Sequence, residues 1–255
     1  MAWIIPILLN GLLCGVLINY LADTLPDYRR LVAPCCRQCH TKLDLKNYFL
    51  WPRTCPQCGQ HRKTRTFIVE LLFPLLTLYL WYYPNHRMSF ILGLILWVYF
   101  FLVIIIDLEH RLILHSVSIV GVILGLGIGT WMHGFISTIL GGVLGFLIML
   151  VLYYFGIILF KKIKKTSDEG EQVYNGHSED EALGFGDVNL SGVVGLLLGW
   201  PGIVAGITVT IFMAGGFSAL YLIYMLFKRK YHAYMAIPYG PFIVMGAAIL
   251  LFFIN

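Results

Sequence analysis

Eight long hydrophobic segments, separated by polar stretches, dominate the sequence. They lie near residues 2–22, 67–83, 88–107, 113–132, 135–160, 184–200, 202–227 and 238–254. A helix needs roughly 20 apolar residues to cross the hydrocarbon core of a bilayer, which is about 30 Å thick. The pattern therefore predicts about eight transmembrane helices. The segment at 184–200 is short for this purpose and begins in a glycine-rich motif.

The composition supports this interpretation. Hydrophobic residues make up 59% of the chain and charged residues only 12%, whereas a soluble domain has about 45–50% apolar and about 25% charged residues. An ordinary soluble domain is therefore excluded. We predict an all-α polytopic membrane protein.

Positive charge is concentrated in alternate segments between the predicted helices. If the N-terminus lies outside the cytoplasm, 17 of the 18 Lys and Arg residues fall in cytoplasmic segments, and Arg87 is the exception. Because short cytoplasmic segments are enriched in Lys and Arg, this distribution predicts that orientation. The positive charges that give the net charge of +5 then set the orientation in the membrane and interact with anionic lipid headgroups. This net charge requires no nucleic-acid partner.

This topology predicts the domain organisation. Residues 1–22 form a first transmembrane helix, residues 23–66 form a cytoplasmic loop, and residues 67–255 form a membrane core of seven helices. A second cytoplasmic loop at 161–183 contains many charged and polar residues and few hydrophobic ones. We expect this second loop to be a linker without a core of its own.

Glycines spaced by four residues recur within the predicted helices, for example Gly141 with Gly145 and Gly195 with Gly199. Such spacing lets neighbouring helices pack backbone to backbone. The stretch GLGIG at 125–129 resembles a nucleotide-binding loop, but it lies inside a predicted helix with no strand before it. We interpret these glycines as packing residues.

The first cytoplasmic loop contains two C-x2-C motifs with fifteen residues between them. The motifs pair Cys36 with Cys39 and Cys55 with Cys58. This spacing predicts a small zinc knuckle in which four thiolates hold a structural zinc ion, and a cytoplasmic loop would keep the thiols reduced. Redox dithiols are the alternative, although no thioredoxin-like context surrounds either motif. Because Cys35, His40 and His61 lie nearby, the exact ligand set stays open.

Two aspartates lie at matched depth on different predicted helices. Asp107 ends the third helix in the stretch VIIID, and Asp187 begins the sixth in LGFGDVNL. An ionisable group at such a depth is costly unless it faces protein or water, so both are candidates for function. When two carboxylates share a water, their mutual repulsion raises the pKa of one of them. One group then acts as an acid and the other as a base, which suits hydrolysis of an amide. The pair therefore predicts aspartyl-protease chemistry.

The glycines beside Asp187 fit the same interpretation. Gly184 and Gly186 lack side chains and permit unusual backbone angles, so an extended peptide could approach the carboxylate closely. The structural alternative is that Asp187 only begins a helix, where the dipole favours a carboxylate, and that Asp107 only anchors a helix at the interface. The pairing of the two acids favours the catalytic interpretation.

Motifs along nearly the whole chain resemble those of bacterial type IV prepilin peptidases, the bifunctional leader peptidase and N-methyltransferase group. They are NGLLCGVLINYLADTLP, the double C-x2-C loop, TFIVELL, IDLEHRLI, GFGDVNL and IPYGPFI. TFIVELL matches the segment that bears a glutamate in the family, here Glu70. Asn189 departs from the pattern, because the family usually has lysine at that position.

The resemblance implies an intramembrane GxGD-type aspartyl protease of the bacterial inner membrane. Asp107 and Asp187 would activate water and cut the leader of prepilins or pseudopilins after a glycine, at the cytoplasmic face. The resemblance also implies methylation of the new N-terminal amine from S-adenosylmethionine, and it associates the zinc loop and Glu70 with that second activity.

Two alternatives come from other functional classes. A proton-coupled transporter would also bury carboxylates, but we would expect them near the membrane midplane, together with internal repeats in the hydropathy pattern. Neither feature is evident in the sequence. A non-catalytic, zinc-bearing assembly scaffold is the other alternative, and it would tolerate replacement of Asp187.

Overall fold

The computed structural model describes residues 4–36, 38–39, 41–43, 48, 54–84, 88–167, 184–228 and 238–253, with the backbone alone at 159–167. These residues contain eight α-helices. They are α1 (Ile4–Tyr28), α2 (Thr64–Tyr82), α3 (Phe90–His110), α4 (His115–His133), α5 (Phe135–Ser167), α6 (Phe185–Leu198), α7 (Gly202–Phe227) and α8 (Gly240–Ala248). A π-helical turn, Ile249–Phe253, continues α8.

The prediction of an all-α polytopic membrane protein is confirmed, and the eight predicted transmembrane segments correspond to eight helices. Within the described residues, six helices are long and apolar enough to cross a membrane, namely α1 to α5 and α7. The other two, α6 and α8 with its π-helical turn, are shorter apolar helices. With 14 residues, α6 extends only about 21 Å at 1.5 Å per residue, which is less than the thickness of a bilayer core.

The first helix continues six residues beyond the predicted end of its hydrophobic segment. It ends at Tyr28, so that Asp23 and Asp27 lie in its last turns. Arg29 follows with a φ of 52°, a left-handed conformation that stops the helix. Hydropathy marks where the apolar stretch ends, whereas backbone geometry decides where the helix ends. The predicted domain boundaries at residues 22 and 66 stay predictions.

The chain divides into two compact units, Met1–Ile106 and Asp107–Asn255. In the first unit, α1 packs closely on α2, because Gly15 of α1 brings its backbone near the backbone of Glu70. One turn after Gly15 on α1, the side-chain amide of Asn19 donates a hydrogen bond of 3.1 Å to the carbonyl oxygen of Thr66. This bond also holds α1 and α2 together. Phe73 of α2 and Phe101 of α3 meet edge to face at 5.4 Å between ring centroids.

In the second unit, the short helix α6 packs against α4 and α5. Gly141 of α5 and Gly195 of α6 face each other, and a Cβ atom at either position would collide with the backbone of the other helix. The Ser191 hydroxyl of α6 also donates a hydrogen bond of 3.0 Å to the carbonyl oxygen of Gly145. These contacts support the interpretation of the glycines as packing residues.

Candidate active site and metal centre

Asp107 lies in the last turn of α3 and is almost completely buried, with 5% of its surface exposed. Its Oδ2 atom accepts a hydrogen bond of 3.1 Å from the backbone N–H of Gly240. Gly240 is the first residue of α8, and the N–H groups at the start of a helix have no partner within the helix. The start of α8 therefore holds the carboxylate of Asp107 in place.

Asp187 lies in the first turn of α6 and is 7% exposed. Its backbone N–H donates a hydrogen bond of 3.0 Å to the carbonyl oxygen of Gly184, which closes the turn at the start of the helix. Asp187 is close enough to Asp107 for the two charges to interact, and it also interacts with Tyr239. The structure thus brings together the two aspartates that the sequence singled out.

Gly240 is a residue of this site that the sequence reasoning did not single out. A Cβ atom on Gly240 would lie 2.6 Å from Oδ2 of Asp107 and 3.1 Å from its Cγ atom. Any larger residue at position 240 would therefore require the carboxylate of Asp107 or the start of α8 to shift. The available signal was the motif IPYGPFI, in which Gly240 is followed by Pro241 at the beginning of a helix.

The two glycines before Asp187 have different surroundings. A Cβ atom on Gly186 would lie 2.8 Å from Cβ of Ile113, so this glycine allows α6 to start against the turn between α3 and α4. Gly184 is exposed, and its nearest side-chain neighbour is Oδ2 of Asp187, 3.9 Å from the position of a Cβ atom. Close packing thus accounts for Gly186, while the predicted approach of a substrate past both glycines stays a prediction.

Asn189 does not share a helix face with Asp187, because two residues along an α-helix rotate the side-chain direction by about 200°. It lines a mostly apolar groove of about 520 Å³ between α4, α5 and α6, together with His115 and Ser118. The departure from the family's usual lysine therefore lies on another side of α6 from the aspartate pair.

The four cysteines of the predicted zinc knuckle come together in the first unit. Their sulfur atoms all lie within 4.8 Å of one another, with 3.5 Å between Cys36 and Cys58 and 3.5 Å between Cys39 and Cys55. A tetrahedral zinc ion with Zn–S bonds of about 2.3 Å would place its sulfurs about 3.8 Å apart. The cluster could therefore hold a metal ion such as zinc.

Each C-x2-C motif folds as a tight turn closed by backbone hydrogen bonds. In the first turn, the N–H of Cys36 donates to the carbonyl oxygen of Thr41 at 2.9 Å, and in the second, the N–H of Cys55 donates to that of Gln60 at 3.0 Å. Gly59 ends the second turn with a φ of 68°, a left-handed conformation that favours glycine. The two turns are the knuckles that present their sulfurs to a common centre.

The neighbouring candidates for ligands are separated from this cluster. The thiol of Cys35 donates to the carbonyl oxygen of Ala33 at 3.3 Å, and His61 is not among the clustered side chains. His40 lies outside the described residues. All six cysteines of the chain are free of disulfide bonds, which agrees with thiols available to a metal.

A second polar cluster in the first unit is centred on Asp23 of α1. Its carboxylate forms ion pairs with Arg62, which precedes α2, and with Arg65 in the first turn of α2. The hydroxyl of Tyr48 donates to the same carboxylate at 3.0 Å, and the guanidinium of Arg62 stacks on the Tyr48 ring at 3.8 Å. Asp23 lies within the motif NGLLCGVLINYLADTLP but was not singled out from the sequence.

Glu70 lies on α2, one turn after Thr66, and its backbone packs against Gly15 of α1. Thr66 is buried and lines a cavity beside the Asp23 cluster. Glu70 is therefore placed one helical turn from that cavity. Its predicted association with methyl transfer stays a prediction.

Comparison with known protein families gives a match over more than half of the chain. A sequence profile described as the type IV leader peptidase family matches residues 94–254. The matched range contains Asp107, Asp187 and Gly240, and the cysteine motifs and Glu70 lie before it. No curated protein and no solved structure matches the chain significantly.

Proposed function

Because the chain belongs to the type IV leader peptidase family, we propose that it is a membrane aspartyl endopeptidase that removes the leader peptides of type IV prepilins or pseudopilins. The observation that carries this proposal is the pair of buried carboxylates, Asp107 and Asp187, on separate helices and within electrostatic range. Family membership also favours a peptidase over the transporter and the scaffold.

In the proposed reaction, Asp107 and Asp187 share one proton and position a water between them. The ionised carboxylate takes a proton from the water, whose oxygen forms a bond to the carbonyl carbon of the scissile peptide. The protonated carboxyl gives its proton to the carbonyl oxygen. As the C–N bond of the tetrahedral intermediate breaks, the carboxyl that received the proton of the water gives it to the leaving nitrogen. The other carboxylate takes a proton from a hydroxyl of the intermediate as the C=O bond re-forms.

We propose that cleavage takes place at the cytoplasmic face of the bacterial inner membrane, after a glycine of the leader. The distribution of Lys and Arg supports this orientation, with the N-terminus outside. Reporter fusions after residue 87 and after residue 165 would test it. The orientation requires an extracytoplasmic reporter signal from the first fusion and a cytoplasmic signal from the second.

We further propose that the chain methylates the N-terminal amine released by cleavage. Bound S-adenosylmethionine would supply an electrophilic methyl group on its sulfonium sulfur. The amine nitrogen would form a bond to that carbon as the C–S bond breaks, S-adenosylhomocysteine would leave as a neutral thioether, and the proton released from the nitrogen would pass to water. We propose that Glu70 and the cysteine knuckles, with a structural zinc ion, support this step.

Cleavage of a prepilin-like substrate by the purified, detergent-solubilised chain tests the peptidase proposal. Asp107→Asn and Asp187→Asn keep the shape of each side chain and remove its acid-base function. Because such a group contributes about 10²- to 10⁴-fold to a rate, each variant should lose at least about 10²-fold in cleavage rate.

The matched control is Glu109→Gln, which removes a carboxylate two residues beyond Asp107. Glu109 lies 3.9 Å from the imidazole of His110 and has no part in the proposed reaction, so this variant should cleave at a rate close to wild type. Wild-type cleavage by either aspartate variant would disprove the two-carboxylate mechanism.

A further inference from the structure

Tyr239 immediately precedes Gly240 at the start of α8, beside the aspartate pair. Its carbonyl oxygen accepts hydrogen bonds from the N–H groups of Phe242 at 3.1 Å and Ile243 at 3.3 Å. The next N–H group, that of Gly240, donates to the carboxylate of Asp107 at 3.1 Å. Hydrogen bonds on both sides of the peptide between Tyr239 and Gly240 therefore fix the backbone of Tyr239 relative to Asp107.

The ring of Tyr239 is also held by its neighbours. It packs against the ring of Phe242, with 6.4 Å between centroids and 56° between planes. Phe242 in turn packs against Phe217 of α7 at 5.3 Å. The side chain of Tyr239 is half-buried, so it remains accessible from the side that these rings do not cover.

The hydroxyl of Tyr239 lies near the aspartates without binding either of them directly. Tyr239 is within electrostatic range of Asp187. No hydrogen bond joins its hydroxyl to Asp187 or to Asp107. The hydroxyl is thus a donor close to the pair that is free to meet an oxygen of a substrate.

The proposed cleavage reaction creates a need for such a donor. Negative charge develops on the carbonyl oxygen of the scissile peptide as the water oxygen bonds to its carbon. A fixed donor directed at that oxygen lowers the barrier, because its hydrogen bond is stronger in the transition state than in the bound substrate. The N–H of Gly240 already donates to Asp107, whereas a phenol stays protonated at neutral pH and is available to donate.

We propose that the hydroxyl of Tyr239 is a third catalytic group, which donates a hydrogen bond to the carbonyl oxygen of the scissile peptide. This inference rests on the proposed peptidase function. The hydroxyl keeps its proton throughout, because the proton that reaches the carbonyl oxygen comes from the protonated carboxyl of the pair. The start of α8 would then act twice, with Gly240 holding Asp107 and Tyr239 stabilising the transition state.

The test compares kcat and KM for cleavage of a prepilin-like substrate by the detergent-solubilised wild type and Tyr239→Phe. This substitution keeps the ring and removes only the hydroxyl. Loss of one donor to the developing oxyanion costs about 10²- to 10³-fold in kcat in well-studied hydrolases. We expect kcat to fall at least about tenfold and KM to change by less than about threefold, because the hydrogen bond acts mainly in the transition state.

The matched control is Tyr221→Phe, which removes a hydroxyl from another ring of the same aromatic group. Tyr221 stacks on Phe217 at 6.2 Å and has no part in the proposed reaction, so this variant should keep the wild-type kcat. Thermal melting establishes that each variant is folded.

A second variant separates the hydroxyl from the packing of the ring. Incorporation of 3-fluorotyrosine at position 239 keeps the hydroxyl and makes it a better donor, so kcat should be at least that of the wild type at a pH where the phenol is protonated. Substrate affinity should also be equal for Asp187→Asn with and without Tyr239→Phe, since neither protein completes cleavage and the hydroxyl contributes little to ground-state binding.

The outcomes distinguish this inference from the proposed function. If Tyr239→Phe keeps the wild-type kcat, changes KM alone, or loses activity together with the fluorinated variant, the hydroxyl is not a catalytic group. The peptidase proposal would then still stand on the Asp107 and Asp187 variants. If the wild type itself does not cleave the substrate, both the inference and the proposed function are wrong.

Discussion

Replacing Gly240 by alanine would place one methyl group against the carboxylate of Asp107. The new carbon would lie 2.6 Å from Oδ2, whereas ordinary contacts begin at 3.4 Å, so the two groups must separate by about 0.8 Å. The nearest atoms belong to the Asp107 side chain, which can move only by giving up the 3.1 Å hydrogen bond from the N–H of Gly240.

The expected loss follows from that hydrogen bond. A hydrogen bond to a charged group contributes about 1.5–3 kcal/mol, which corresponds to a factor of about 10 to 150 in rate. A misplacement of about 1 Å in an active site can cost about 10²-fold on its own. We therefore expect Gly240→Ala to lower kcat for cleavage by about 10²-fold.

The assay follows initial rates of prepilin cleavage by the detergent-solubilised variant, with thermal melting as a measure of folding. Gly216→Ala is the matched control, because a Cβ atom on this glycine of α7 meets no atom within 4 Å. The control should cleave as wild type does. Wild-type cleavage by Gly240→Ala would show that the start of α8 does not position Asp107 for catalysis.

Four further predictions concern other parts of the chain. Asn189→Lys should change the cleavage rate less than threefold in the same assay, because this side chain and Asp187 point to different sides of α6. Cys55→Ser should lower zinc content measured by atomic emission, and chelation of zinc from the wild type should make the knuckles sensitive to protease. Asp23→Asn should destabilise the first unit by about 1–3 kcal/mol in chemical unfolding, because two arginines lose their anionic partner. Gly195→Ala should cost about 1–3 kcal/mol by overpacking the contact with α5, and unchanged stability would show that these helices can separate freely.

The hydrophobic helices could be predicted from the sequence because the signal is local. Each one is a run of apolar residues whose length is read directly against the thickness of a bilayer. The metal cluster was predictable for a similar reason, since two C-x2-C motifs each form a tight turn and the residue types are specific to metal binding. The sequence also identified Asp107 and Asp187, because a carboxylate is rare at the end of an apolar helix.

The residue at which α1 ends and the short length of α6 could not be predicted from hydropathy. A polar residue such as Asp23 can continue a helix as well as begin a loop, and only the left-handed backbone of Arg29 stops α1. The hydropathy pattern predicts one hydrophobic segment over residues 184–200. The helix itself ends at Leu198, because Gly199 adopts a left-handed conformation.

A membrane protein with eight apolar helices, a four-cysteine motif and two acidic side chains at helix ends could be inferred from the order of residues alone. The groups that surround those side chains are set by the packing of the helices. The hydrogen bond from Gly240 to Asp107 joins residues 133 positions apart, and the ion pair of Asp23 with Arg62 joins residues 39 apart. Such contacts depend on how each helix is rotated and how closely its neighbours approach, and no local pattern of residues specifies either quantity.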